Sequence, residues 1–227
     1  RKCLNSIECF HPRSEGWKTL RPMTTRRCLH TASVIGGQLY IAGGSSGIVP
    51  WQPEDTERSM ERFNPTIGRW ETMGAMSSRR YVHTATVMGR YLYVTGGKYG
   101  TVALDSAERY DPTTDAWEEL ASLSTPRRFH TASAIDGKLY VVGGGEFHRP
   151  SQLAERFSPE LGRWERIESM SGHRMLHSAS VIDGKLYVVG GVDVDTVERF
   201  NPKSGAWEAA PPMLRTHRFH HSASLVR

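Results

Sequence analysis

Five arginines each stand three residues ahead of a histidine: Arg27 and His30, Arg80 and His83, Arg127 and His130, Arg174 and His177, Arg218 and His221. A guanidinium is planar, permanently charged and able to grip a carboxylate or phosphate with two parallel hydrogen bonds. Five of them at one recurring position could hold an acidic ligand. The competing account is that each ties down main-chain carbonyls of neighbouring loops, because a residue that recurs with a scaffold answers first to the scaffold. Histidine raises metal chemistry, yet zinc needs nitrogens converging at about 2.1 Å on one ion. Histidines spread one per repeat do not converge, so packing and hydrogen bonding is the expected role and no metal or cofactor is implied. Cys3, Cys9 and Cys28 are odd in number and lack the paired spacing of a disulfide framework or zinc site. They read as packing residues of a reducing interior, with Arg26 and Arg27 beside Cys28 leaving open a reactive thiol of lowered pKa. No pair of acids stands at an isolated, non-repeating position suited to general acid-base work, so no enzyme is expected.

The elements that position these residues emerge from a repeat. Gly-Gly doublets at Gly43-Gly44, Gly96-Gly97, Gly143-Gly144 and Gly190-Gly191 are spaced by 53, 47 and 47 residues. Each histidine lies 14 residues before the second glycine, and Trp70, Trp117, Trp164 and Trp207 each follow a proline by five. Within each unit, segments such as HTASVI and HTATVM alternate small and apolar residues at period two, as a crowded innermost strand would. Two turn residues, for example Gly36-Gly37 or Asp136-Gly137, predict a tight hairpin into a second strand such as KLYVVGG. A third strand carries Glu-Arg-aromatic (Glu61 to Phe63, Glu108 to Tyr110, Glu155 to Phe157, Glu198 to Phe200), and a fourth centres on Trp. A glycine-rich phosphate cradle would need a helix behind it, and none follows these doublets.

Two glycines after an apolar strand, then a spaced aromatic and a spaced Trp, resemble the kelch repeat from about Glu8 to the C-terminus. The resemblance implies an all-β fold, a β-propeller of four-stranded antiparallel blades, with Trp and Tyr packed between blades. On this reading one domain spans 1–227, with the last two strands of a partial blade in 1–20 and whole blades at 25–73, 78–120, 125–167 and 172–210. The first strand of a closing or partial blade falls in 216–227, so five blades or a truncated six-bladed ring both fit. The kelch domains of ubiquitin-ligase adaptors grip acidic segments through arginines, and by this resemblance the role passes to Arg27, Arg80, Arg127, Arg174 and Arg218.

Blade topology then says which face should work. The second-to-third connection and the link to the next blade leave by one face; the other two turns leave by the opposite one. From the second glycine to the following Glu the distances are 17, 11, 11 and 7, whereas the remaining offsets are nearly constant. Unequal loops on a rigid scaffold are where recognition is expected, which adds Trp51, Tyr99, Phe147 and Arg149 to the candidate contacts. The leading expectation is therefore a protein-binding module of a cullin-RING ubiquitin-ligase adaptor, with an actin-binding or cytoskeletal scaffold as the alternative. A propeller oxidase is disfavoured because all three Cys fall outside any Gly-rich loop near clustered His, and a sugar mutarotase because no paired acids stand at an isolated position. Net charge is +5, and 23 of the 29 basic residues are Arg, but no dense basic stripe supports nucleic-acid binding. No apolar run reaches the ~20 residues that span a bilayer, and the chain opens at Arg1, so a cytoplasmic domain cut from a longer protein is expected.

Overall fold

The computed structural model describes residues 2–47, 52–146 and 149–213. Among the described residues, four four-stranded antiparallel sheets follow one another. The first comprises Thr31–Ile35, Gln38–Ala42, Met60–Asn64 and Arg69–Met73; the second, Thr84–Met88, Tyr91–Thr95, Ala107–Asp111 and Ala116–Leu120. The third comprises Thr131–Ile135, Lys138–Val142, Ala154–Ser158 and Arg163–Ile167; the fourth, Ser178–Ile182, Lys185–Val189, Val197–Asn201 and Ala206–Ala210. A separate hairpin, Glu8–His11 with Gly16–Thr19, precedes them. Each sheet is a plain meander, and the first strands of successive sheets lie side by side, which makes the sheets radial blades of a β-propeller.

The core lies between blades rather than within one. Tyr40, Ala42, Met60 and Met76 of the first blade and its outgoing link meet Leu92, Val94 and Tyr110 of the second. Met88 and Tyr93 of the second meet Leu139 and Phe157 of the third. Tyr140, Val142 and Met170 then meet Leu186, Val188 and Phe200. A blade clamped on both sides must bury both faces of its second strand, which is why Leu92-Tyr93-Val94 and Leu139-Tyr140-Val141-Val142 are unbroken apolar runs. Each outer Trp adds a latch to the preceding link. Trp70, Trp117, Trp164 and Trp207 donate Nε1–H to the carbonyls of Arg21, Gly74, Ala121 and Glu168, each at 2.7 Å.

The glycine doublets mark the tightest contacts between blades. A Cβ on Gly96 would lie 2.5 Å from the Arg127 carbonyl and 2.7 Å from His130 Cε1, both leading into the next blade. A Cβ on Gly97 would meet His83 and the Tyr81 carbonyl of its own blade at 2.7 and 2.8 Å. Both glycines also have positive φ, which L side chains resist. Gly89, in the hairpin turn of the same blade, has a similar φ of 62° but open space around its Cβ position. Gly89→Ala should therefore cost only the left-handed backbone penalty, about 1–2 kcal/mol. Gly96→Ala should cost that plus the displaced contact, a further ~1 kcal/mol or more, as measured by chemical denaturation of the two variants side by side.

Candidate functional site

The recurring arginines point into the blades. Arg27, Arg80, Arg127 and Arg174 are among the most buried side chains, with relative exposures of 2, 0, 1 and 0%. Each pairs with the Glu of the third strand in its own blade: Glu61, Glu108, Glu155 and Glu198. In the second blade Arg80 Nη1 donates to the carbonyls of Gly96 (2.7 Å) and Ser106 (3.1 Å), while Nη2 donates to Ser106 Oγ (3.0 Å) and Glu108 (2.7 Å). Arg174 repeats the pattern with Gly190, Thr196 and Glu198. The far oxygen of each Glu accepts a main-chain N–H from the link before the blade: Thr24, Ser77, Ser124 and Ser171. Burial by itself would raise Glu61, but its hydrogen bonds from Thr24 and Arg27 prevail and hold it below the usual carboxylate range. Assigning these four arginines to a partner is thus corrected. Their donors are directed at the glycine doublet, the following loop and the Glu, and no ligand can reach them. Arg218 lies outside the described residues.

The histidines follow each arginine inward and bridge to the preceding blade. His83 Nε2 lies 3.0 Å from Thr31 Oγ1; His130 Nε2 lies 3.1 Å from Thr84 Oγ1 and 3.0 Å from Thr95 Oγ1; His177 Nε2 lies 3.0 Å from Thr131 Oγ1. Burial, then the charge of Arg80, pushes His83 down to about 3. Burial and Arg127 likewise hold His130 far below its ordinary value. His83 and His130 are thus neutral struts, and among the described residues no group of His, Cys, Asp or Glu is arranged to hold a metal ion. Cys28 is no activated thiol either, since burial and the neighbouring Cys3 thiol push it up to about 12.

One face gathers the variable segments. The inter-blade links hydrogen-bond the loops that follow the doublets, through Cys28 N to Ser45 O (2.9 Å), Tyr81 N to Lys98 O (3.1 Å) and Arg128 N to Gly145 O (3.2 Å). Links and unequal loops therefore share a rim. The loops carry order of their own, which sequence did not signal: short ribbons pair Lys98–Tyr99 with Val102–Ala103 and Gly145–Glu146 with Arg149–Pro150. Tyr99 is 41% exposed and borders a cavity of about 310 Å³ with Arg58, Ser77, Ser78, Arg79 and Leu104. Arg149 is exposed on the next ribbon. Trp51 and Phe147 lie outside the described residues. At the centre of this rim, a cavity of about 450 Å³ is lined by Leu29, Val82, Phe129 and Leu176 together with the four histidines. Those four apolar residues were missed in the sequence. The available signal was a large apolar side chain immediately before each of His30, His83, His130 and His177, outside the alternation of the strand that follows.

A family model described as the KLHDC2/KLHL20/DRC7 Kelch-repeats domain matches residues 1–144 and 69–227. The chain belongs to the kelch-repeat family. Among its relatives, human Kelch-like protein 33 is 30% identical over 98 residues, 43% of this chain and 17% of that protein. Mouse Kelch-like protein 9 is 29% identical over 93 residues, covering 40% of this chain and 15% of that protein. The human Influenza virus NS1A-binding protein is 44% identical over 46 residues, covering 20% and 7%. The stretches shared with this chain are thus a small part of these relatives. Among solved structures, YjhT superposes with a TM-score of 0.78 at 16% identity, over 92% of this chain and 76% of that one, a likeness of fold alone. The kelch-like relatives support a protein-binding kelch propeller. No helix among the described residues is long and apolar enough to cross a membrane.

Two outcomes test the site's internal chemistry. Glu108→Gln or Arg80→Met leaves a buried charge uncompensated and should cost about 3–5 kcal/mol in chemical denaturation. The histidines should set the acid response. An unfolded His83 binds a proton near pH 6.5 while the folded one resists until about pH 3, so the unfolded state binds more protons in that window and stability falls as pH falls through it. At pH 5 that single group contributes a slope of about 1.4 kcal/mol per pH unit. Melting followed from pH 7 to 5 should show stability falling more steeply as pH 5 is approached, and His83→Gln should reduce that slope.

Proposed function

We propose that this kelch propeller is the substrate-recognition module of a cullin-RING ubiquitin-ligase adaptor working in the cytoplasm, and that it holds a protein substrate against the loop face. The carrying observation is the concentration of unequal, locally ordered loops and two cavities on one rim, while the opposite turns stay short and uniform. The kelch-like names of the relatives support the reading. One relative is named for binding a viral protein, which agrees with a role in holding other proteins. Acidic groups of the substrate are met by the exposed cations of this face, Arg58, Arg79 and Arg149, and not by the buried ring. Tyr99 supplies an apolar and hydrogen-bonding surface beside them, and Trp51, Phe147 and Arg218 remain proposed contacts.

The test is affinity capture from cell extract with three versions of the protein. Parent and a variant altered on the opposite turns (Arg90→Ala, Lys138→Glu, Lys185→Glu) should retain the same partner proteins. The loop-face variant (Arg58→Glu, Arg79→Glu, Tyr99→Ala) should lose them by at least ten-fold. In cells expressing the full-length protein, the captured partner should become ubiquitylated, and the loop-face variant should abolish this. Co-sedimentation with actin filaments that survives the loop-face changes would replace this reading with a cytoskeletal one.

A further inference from the structure

We infer that the channel mouth is a specificity subsite that takes one branched-aliphatic or aromatic side chain, presented by the partner protein between acidic residues. The inference rests on the loop-face reading above and names the partner's chemistry at its centre. Leu29, Val82, Phe129 and Leu176 line the 450 Å³ cavity together with His30, His83, His130 and His177. All four have left-handed backbone, with φ of 57, 49, 56 and 57°. That conformation is unfavourable for any residue with a side chain, and for β-branched Val82 it is a true outlier.

The strain has a visible support. Val82 N–H donates to the Leu29 carbonyl (3.1 Å), Phe129 N–H to the Val82 carbonyl (3.3 Å) and Leu176 N–H to the Phe129 carbonyl (3.1 Å). This head-to-tail main-chain relay links blade to blade and would form equally well with glycine, the residue this protein uses at its other close-packed left-handed positions. Four large apolar side chains occupy the relay instead. Leu29, Val82 and Leu176 stand outside the three apolar clusters between blades, and Leu29 is 40% exposed. Side chains held in strained backbone, contributing little to the described core and lining an open cavity, are the pattern of a binding subsite.

Charge identifies what enters. The links 24–29, 77–82, 124–129 and 171–176 that form the inner annulus contain no Asp or Glu. They carry the exposed Arg26 and Arg79, and Arg128, whose guanidinium lies 5.4 Å over the Phe129 ring. His30, His83 and His130, which help complete the lining, are held below the ordinary imidazole value chiefly by burial, so an apolar group can enter without stripping water from a charge on them. An uncharged centre bordered by cations on three of its four links suits a loop whose tip is apolar and whose flanks are acidic.

Glycine substitution separates binding from folding here, because glycine relieves the strain and leaves the relay intact. A phage-displayed library of random disulfide-closed loops would be selected on the protein. Selected loops should share a Leu, Ile, Met, Phe or Trp beside Asp or Glu, and a synthetic winner should bind Val82→Gly/Leu176→Gly at least ten-fold more weakly. The melting temperature of that variant should equal or exceed the parent's, and Val82→Asn, polar yet tolerant of positive φ, should lose binding similarly. Winners lacking a shared apolar residue, unchanged affinity for the glycine variant, or a lowered melting temperature would each overturn the inference. Winners weakened by Arg79→Glu/Tyr99→Ala but not by glycine would overturn it while leaving the loop-face reading intact. Winners indifferent to both variants would sink both.

Discussion

Each whole blade is pinned by one buried guanidinium–carboxylate pair that reaches in three directions at once. Arg80 holds the Gly96 and Ser106 carbonyls on either side of the loop after the doublet, and Glu108 holds both Arg80 and the main-chain N–H of Ser77 in the incoming link. Link, loop and third strand are thereby joined at a point where the backbone has left its ladder and its polar groups would otherwise be stranded. Desolvating the two charges is expensive, and the pair is sustained only because nearly every donor and acceptor around it is directed at a partner. The same pin recurs in Arg27–Glu61, Arg127–Glu155 and Arg174–Glu198, so the face that carries variable loops is held rigid by invariant chemistry beneath it.

From that pin the rest of the architecture follows outward and inward. Outward, the loops can differ in length because their two ends are already fastened. Inward, the chain turns through a left-handed residue and a buried histidine before entering the next strand. The histidine fills the space left by the glycine doublets of its own and the preceding blade, which is why a Cβ at Gly96 or Gly97 would collide with His130 or His83. Blade-to-blade packing thus combines apolar strands sandwiched on both faces, Trp latches at the outer edge and His–Gly interlocks near the axis.

The candidate interaction face is consequently layered. Its floor is a buried structural network, its centre is an arc of four apolar residues with left-handed backbone, and its periphery is a set of short ribbons bearing Tyr99 and Arg149. A face held in this way is preorganised, which would reduce the ordering cost of an association there. The exposed cations of this face are Arg26, Arg58, Arg79 and Arg149, while the pin itself is sealed.

The repeat alone determined the fold class, the four-strand unit, the doublet and Trp positions and the division into a constant and a variable face. Spacing and alternation are properties of one dimension, and a structure made of radial copies translates them directly into blades. What the sequence could not decide was direction. Arg79 and Arg80 are chemically identical neighbours, yet one lies exposed on the rim and the other is sealed against Glu108, a carboxylate 28 residues away that spacing alone does not pair with either. Nor could it reveal that Val82 sits at positive φ, because nothing in a Val announces a left-handed backbone imposed by hydrogen bonds from two other blades. Which guanidinium faces inward and which apolar side chain faces the channel were settled only when blades closed on one another, since burial is a property of neighbours distant in the chain.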